Sequence, residues 1–204
     1  MEDARRASET FDSIAEHFDR TRNRPWEEVV EFLERSEGKL LDIGCGNGRH
    51  LLEGADLELE VYGVDASKEL LKICKEKVGD VEVIRSGVKS LPFKESSFDN
   101  VIFIAAIHHL KEGRVKSLRE AKRVLKDHGR ILVSSWAREQ ERWDLEEDEQ
   151  DVIVPWHMED GEVIERFYHL YRLDELEEDV NKSGLEVIKT FHSKGNNYVE
   201  AEKV

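Results

Sequence analysis

Apolar positions fall into two rhythms along this chain, and the change between them organises the rest. Phe11, Ile14, Ala15 and Phe18 recur at helical spacing, so residues 10–19 read as a short amphipathic helix. Pro25 suits the first turn of a second helix, which Trp26, Val29, Val30, Phe32 and Leu33 would fix to a core. Lys39 to Ile43 is a short apolar run ending in glycines, the mark of a buried strand. Strands and helices then alternate: helix near 49–54, strand 59–64, helix 67–77, strands 81–85 and 99–106, helix 114–126, strand 129–135. That alternation predicts parallel βαβ units. Past Trp136 the rhythm breaks. Residues 139–151 are strongly acidic and read as a hydrated loop, with apolar islands at 152–156 and 167–171 beyond it. A helix from Asp174 to Ser183 is expected to stop at Gly184. Leu185–Phe191 and Tyr198–Glu202 read as strands joined by Gly195-Asn196-Asn197, a hairpin signal. The expected architecture is an α/β fold: a seven-stranded, mostly parallel sheet closing in an antiparallel C-terminal hairpin, with helices on both faces.

Composition narrows the setting. At 204 residues the chain is read as one domain, 1–204, with a helical extension over 1–36 on the substrate side and a core over 37–204. A formal charge of −15 disfavours nonspecific attraction to DNA or anionic lipid, while leaving room for a local basic patch. The two cysteines, Cys45 and Cys74, offer neither a disulfide framework nor zinc-ligand spacing, which suits a reducing cytoplasm. No apolar run resembles a signal peptide or is long enough to cross a bilayer, so a cytoplasmic protein without a membrane partner is expected.

The chemistry concentrates first in Asp42-Ile43-Gly44-Cys45-Gly46-Asn47-Gly48. A glycine loop between strand and helix lets backbone pass close to a ligand. Dinucleotide sites use G-x-G-x-x-G to seat a pyrophosphate on a helix N-terminus. Here the third glycine comes one residue sooner and an acid precedes the loop. Asp42 would repel pyrophosphate but can receive the ammonium of a methionyl tail, so the spacing favours S-adenosylmethionine over NAD. Asp65 closes the next strand roughly 20 residues past the first glycine, where a carboxylate can take both ribose hydroxyls. A tight strand–helix turn with Asp65 as a helix-capping acid is the plainer alternative.

Taken together, the Asp42–Gly48 loop, Val64-Asp65-Ala66-Ser67, Leu91-Pro92-Phe93 and Ser97-Phe98-Asp99 resemble the motif series of class I, Rossmann-like S-adenosylmethionine-dependent methyltransferases. That resemblance implies a cofactor site containing Asp42, Gly44, Cys45, Gly46, Gly48, Asp65, Ala66, Ser86, Gly87, Val88, Ile104 and Ala105. One position departs from it. Family members usually place an aspartate five residues before the Leu-Pro proline, against the adenine amine; Gly87 stands there, leaving Ser86 or backbone to make that contact.

Less common pieces resemble one subgroup, the tRNA wobble-uridine carboxymethyl methyltransferases. They are Phe11 through Trp26, Ile104 through His109, Val152 through Trp156, Arg166 through Arg172, and Asn196-Asn197-Tyr198. The implied reaction esterifies a 5-carboxymethyl group on the uridine at the anticodon's first position. A carboxylate acceptor with a pKa of about 4 is already ionised at neutral pH and needs no general base. Positioning is then the main task, and an arginine can clamp the acid if one lone pair stays free. Arg22 and Arg24 are the candidates, with Arg22 preferred within Thr-Arg-x-x-Pro-Trp. His109, at the carboxyl edge of the fourth strand, is read as facing substrate, and Trp136 as covering the site. Tyr168, His169 and Tyr171 could stack on anticodon bases. His108 and His109 lack further ligands at metal spacing, so no metal is expected. The resemblance also implies the tRNA anticodon arm and a small zinc-binding activator subunit as partners. The activator would pair with the 81–85 edge strand of the sheet. A methyltransferase for a small acceptor, or a noncatalytic module that keeps the cofactor fold, are the competing readings.

Overall fold

The computed structural model describes residues 2–204, with side chains from residue 8 onward. Its centre is set by the most apolar segments. Strands β1 (Lys39–Ile43), β4 (Phe98–Ile104) and β5 (Leu125–Trp136) lie side by side, and Leu41, Val101, Phe103 and Val133 are fully buried. Strands β2 (Glu60–Asp65) and β3 (Glu82–Arg85) extend the sheet on one side, parallel to β1. Strands β8 (Glu186–Ser193) and β9 (Asn196–Glu202) close the other side, with β9 antiparallel to β5. The order β3-β2-β1-β4-β5-β9-β8 is the seven-stranded, mostly parallel sheet expected. It reverses direction of travel at β1, so the crevice beyond the carboxyl ends of β1 and β4 is where such a sheet binds ligands.

Both faces are covered. Helices α5 (Arg114–Val124) and α6 (Leu173–Lys182) bury Leu118, Ala121, Val124, Leu176 and Val180 on one face. On the other, α2 (Glu27–Leu33) contributes Val29, Phe32 and Leu33. Helices α3 (Arg49–Asp56) and α4 (Lys68–Val78) meet through Leu51, Leu71, Cys45 and Cys74. Where charge is buried for structural reasons it is matched. Glu200, 2% exposed, is bound by both Nη atoms of Arg35 at 3.1 Å, with Lys189 at 3.4 Å and Arg130 at 3.7 Å.

Several boundaries differ from the sequence reading. The first helix, α1, runs Glu2–Thr21 rather than 10–19, because Ala, Arg and Glu propagate a helix and no breaker precedes Pro25. Arg20 and Thr21 therefore belong to its last turn, and the basic turn shrinks to the residues after it. Strand β5 begins at Leu125 and α5 ends at Val124, through an irregularity where His128 has φ +63° and its N–H bonds Lys203 O at 2.7 Å. The C-terminal hairpin turns on Lys194 and Gly195, both at positive φ as a two-residue primed turn requires, so Asn196 and Asn197 already belong to β9.

The largest difference lies at the apolar islands. They form an antiparallel ribbon, β6 (Asp151–His157) with β7 (Val163–His169), separate from the main sheet. The ribbon turns around Gly161, at φ +90°. It is tied to α1: Trp156 Nε1 donates to His17 Nδ1 at 3.0 Å, and its ring packs on Phe18 at 6.1 Å. Helix α1 is tied in turn to the main body. Ser67 Oγ donates to Asp12 Oδ1 at 2.6 Å, Ser8 Oγ to Ala66 O at 2.8 Å, and Asn47 Nδ2 to Asp19 Oδ1 at 2.7 Å. Helix and ribbon thus make one roof over the carboxyl ends of the strands. Among the described residues no helix is long and apolar enough to cross a membrane.

Candidate active site

The glycine loop leaves β1 with Gly44, Gly46 and Gly48 at φ +76°, +54° and +78°. These glycines serve different ends. A Cβ on Gly44 would stand 2.6 Å from Ala106 Cβ on the facing wall of the cleft. A Cβ on Gly48 would stand 2.5 Å from Cys74 Sγ, so Gly48 is demanded by the packing of α3 on α4 and lies off the cleft wall. Asp65 fixes the loop: Oδ2 accepts from Gly46 N at 2.9 Å and Oδ1 from Ser67 N at 2.8 Å. Each oxygen keeps a lone pair, as two hydroxyls would need.

Beneath the loop, Asp42 is 1% exposed and its Oδ2 has no hydrogen-bond partner. Burial, and then the charge of Asp65, pushes its pKa up to about 8 against the pull of Arg49. Arg49 starts α3, where the helix dipole disfavours a cation. Its guanidinium lies 4.9 Å from the Trp26 ring, and burial lowers its pKa to about 10. Arg49 lines the cleft, whereas Asp42, expected at the cofactor, is buried and off the cleft wall.

The cleft, about 190 Å³, runs from this loop past Gly87, Val88, Ile104 and Ala105 to the roof. Ala105 takes φ +50°, its N–H bonded to Ser134 O at 3.1 Å, and so turns the chain from β4 into the short 3-10 turn Ile107–His109. Ser86 differs from expectation. Its hydroxyl is spent on Ser90 O at 3.1 Å within its own turn and is not on the cleft wall. Gly87 has nothing within 4 Å of a built Cβ, leaving open space where the family's acid would stand.

The opposite wall is aromatic and cationic. His108 is 1% exposed, its Nδ1 accepts from Trp136 N at 3.0 Å, and burial holds it neutral. His109 Nδ1 lies 3.0 Å from Phe167 O, an acceptor, so Nδ1 carries the hydrogen and Nε2 a lone pair. Burial brings the pKa of His109 down to about 4. Its ring meets Phe11 at 4.9 Å and Tyr168 at 4.4 Å, and Trp136 stacks on Tyr168 at 4.3 Å. Arg22 is exposed on the cleft rim, 5.3 Å from the Trp156 ring.

Three expected substrate contacts fail. Arg24 is exposed and outside the cleft. Tyr171 is fully buried, packed in the core under α6, with its hydroxyl bonded to Asp179 Oδ2 at 3.0 Å. His169, 5% exposed, bridges Asp151 at 2.6 Å and Glu175 at 2.9 Å. For His169 and Tyr171 the cause is the alternation of β7, which turns Arg166 and Tyr168 toward the cleft, after which the chain dives into the core. Arg49, Trp156 and Arg166 line the cleft and were not singled out by the sequence reading. For Arg49 a signal existed, a cation directly after the last loop glycine. For Trp156 and Arg166 the signal is the strand alternation of their two islands. No cluster of His, Cys, Asp or Glu among the described residues could hold a metal ion.

Comparison with known proteins agrees with this fold. The family described as methyltransferase domain matches residues 41–133. The tRNA (carboxymethyluridine(34)-5-O)-methyltransferase of Schizosaccharomyces pombe is 32% identical, over 96% of this chain and 95% of that protein. The tRNA (carboxymethyluridine(34)-5-O)-methyltransferase alkbh8 of Xenopus tropicalis is 32% identical over 95% of this chain, which spans only 40% of that longer protein. Others of that name are also longer: the chain spans 20% of the mouse protein and 32% of the Arabidopsis thaliana one. Among solved structures, the complex between the Haloferax volcanii Trm112 methyltransferase activator and a methyltransferase shares the fold. Its TM-score is 0.73 at 18% identity, over 96% of each chain.

Proposed function

Because this chain belongs to the tRNA (carboxymethyluridine(34)-5-O)-methyltransferase family of S-adenosylmethionine-dependent methyltransferases, we propose that it esterifies the 5-carboxymethyl group of wobble uridine in tRNA to 5-methoxycarbonylmethyluridine. The observation that carries this reading is one cleft with a glycine loop, Asp65 and Arg49 at one end and an aromatic, cationic wall at the other. When bound, S-adenosylmethionine supplies a sulfonium methyl that passes to a carboxylate oxygen as the carbon–sulfur bond breaks, with no proton transferred.

The residues fit that cofactor. Arg49, on the cleft wall, is a donor for a carboxylate, and the orphaned Oδ2 of Asp42 at the end of β1 is an acceptor for an ammonium. Asp65 keeps lone pairs for ribose hydroxyls, and Gly44 leaves the width that a Cβ would close. Ala66, Val88, Ile104 and Ala105 supply the apolar walls, and backbone near Gly87 is left to read adenine. Arg22 attracts the acceptor's acid at the rim. His109, neutral at physiological pH, offers Nε2 as an acceptor and cannot serve as a general acid there. Trp136 and Tyr168, already stacked, present an aromatic wall to the base.

The proposal extends to a small zinc-binding activator subunit pairing with β3, which is an edge strand with half-buried Val83 and Ile84. The test is one incubation of the chain, with and without such a subunit, with cofactor and carboxymethyluridine-bearing tRNA, read by nucleoside mass spectrometry. A wobble methyl ester is expected. Its absence, with methylation of a free carboxylate nucleoside instead, would replace tRNA by a small acceptor.

A further inference from the structure

We propose that Arg166 is the residue that grips the acceptor's carboxylate, with Arg22 as its outer companion, and that it sets the preference for an acidic over a neutral 5-substituent. The inference rests on the function proposed above. Arg166 lies mid-strand in β7 opposite Val154 and is 7% exposed. It sits between two rings, 4.6 Å from Trp156 and 5.1 Å from Tyr168. Nη1 donates to the Tyr168 hydroxyl, while Nε is buried with no hydrogen-bond partner. No carboxylate among the described residues pairs with it, in contrast to the deeply buried Glu200, which is met by three cations.

The groups that face Arg166 make matters worse. Arg22 comes from the segment after α1, His108 and His109 from the 3-10 turn, and Tyr168 from its own strand. None is an acid. A guanidinium does not shed its proton, and a buried charge without a counterion is costly. An arginine retained under those conditions, on the wall of the cleft, is a site for an anion that arrives as ligand. The Nε–Nη2 edge is the fork that meets both oxygens of a carboxylate and leaves each oxygen a lone pair.

Three anions could come there. The methionyl carboxylate has Arg49 at the loop end, over the Trp26 ring. A tRNA phosphate is bulky and favours the exposed rim. The acceptor carboxylate alone must enter between Trp136, Tyr168 and His109, where Arg166 stands.

The experiment compares anticodon stem-loops carrying 5-carboxymethyluridine, 5-carbamoylmethyluridine or plain uridine at the wobble position, by binding titration. Calorimetry of S-adenosylmethionine and turnover on the tRNA complete it. The unaltered chain is expected to bind the acid about 10- to 100-fold more tightly than the amide. Arg166→Gln should erase that preference while leaving amide, uridine and cofactor affinity unchanged. Arg166→Lys, a point charge without the fork, should keep part of it, and decides the matter if the glutamine variant fails to fold. The inference is overturned if both variants keep the preference, if all stem-loops weaken equally (a phosphate contact), or if cofactor affinity falls instead. An unaltered chain that makes no methyl ester defeats the functional reading itself. Ester formation with KM untouched by both Arg166 substitutions defeats only this inference.

Discussion

Gly48→Ala tests the argument that the third loop glycine is a packing residue. The new methyl would sit 2.5 Å from Cys74 Sγ and 3.0 Å from Val78 Cγ2, on a backbone at φ +78°. Left-handed backbone costs a non-glycine residue about 1–2 kcal/mol. Forcing an extra carbon into a packed contact adds about 1–3 kcal/mol. The variant should therefore lose roughly 2–5 kcal/mol in urea unfolding, taking both terms together. Cys74→Ala alone removes one buried sulfur and should cost about 1–2 kcal/mol. Combining the two removes the worst clash and leaves Val78 Cγ2 at 3.0 Å, the end of a side chain, and Cys74 Cβ at 3.3 Å. The double variant should then be more stable than the sum of the single losses by about 1–3 kcal/mol. Because Gly48 is off the cleft wall, the double variant should also bind S-adenosylmethionine nearly as well as the unaltered chain. Additivity within about 0.5 kcal/mol would refute the steric account. A lost cofactor affinity in a stable double variant would place Gly48 at the ligand after all.

Three further outcomes follow from named contacts. Asp42 has its pKa raised from 3.8 to about 8, so the folded chain keeps a proton the unfolded chain releases. The stability this gives is full below 3.8 and is lost as pH rises through 8, so Asp42→Asn should gain on the unaltered chain between about pH 4 and 8. Parallel urea midpoints across that range would contradict it. His109, lowered from 6.5 to about 4, contributes stability that is present above 6.5 and lost as pH falls through 4. Turnover should show no acid limb near pH 6 traceable to it, and a limb there that vanishes in His109→Gln would disprove its neutrality. Trp156→Phe deletes the 3.0 Å bond to His17 while keeping a ring, and should loosen α1 by about 1 kcal/mol. Amide exchange along α1 is the readout, and unchanged rates would show that the ring, not the bond, holds the roof.

The main sheet was legible because its strands are short apolar runs closed by glycine or aspartate, and the Asp42–Gly48 loop fixes where β1 ends. The ribbon was not. Val152, Val154 and Trp156 alternate as a strand should, but exposed Ile153 and Pro155 between them disguise the period as a plain apolar run. The same difficulty spoiled Tyr171 and His169. Residue type suggested stacking, whereas register and burial decide it, and these follow only once β7 is paired. Arg166 carried no signal in isolation; its meaning comes from the acid that is missing around it.

The distribution of charge has a kinetic consequence. The molecule carries −15 overall, yet Arg22, Arg49 and Arg166 gather at one cleft. A polyanion approaching at low ionic strength feels the whole acidic body first, since the Debye length is about 30 Å at 0.01 M and about 10 Å at 0.1 M. Only inside that shorter range does the cleft outweigh the body. For the chain alone, adding modest salt should therefore speed the encounter with tRNA before further salt weakens it. An association rate that falls monotonically from the lowest salt would mean that the acidic surface lies out of the path of approach.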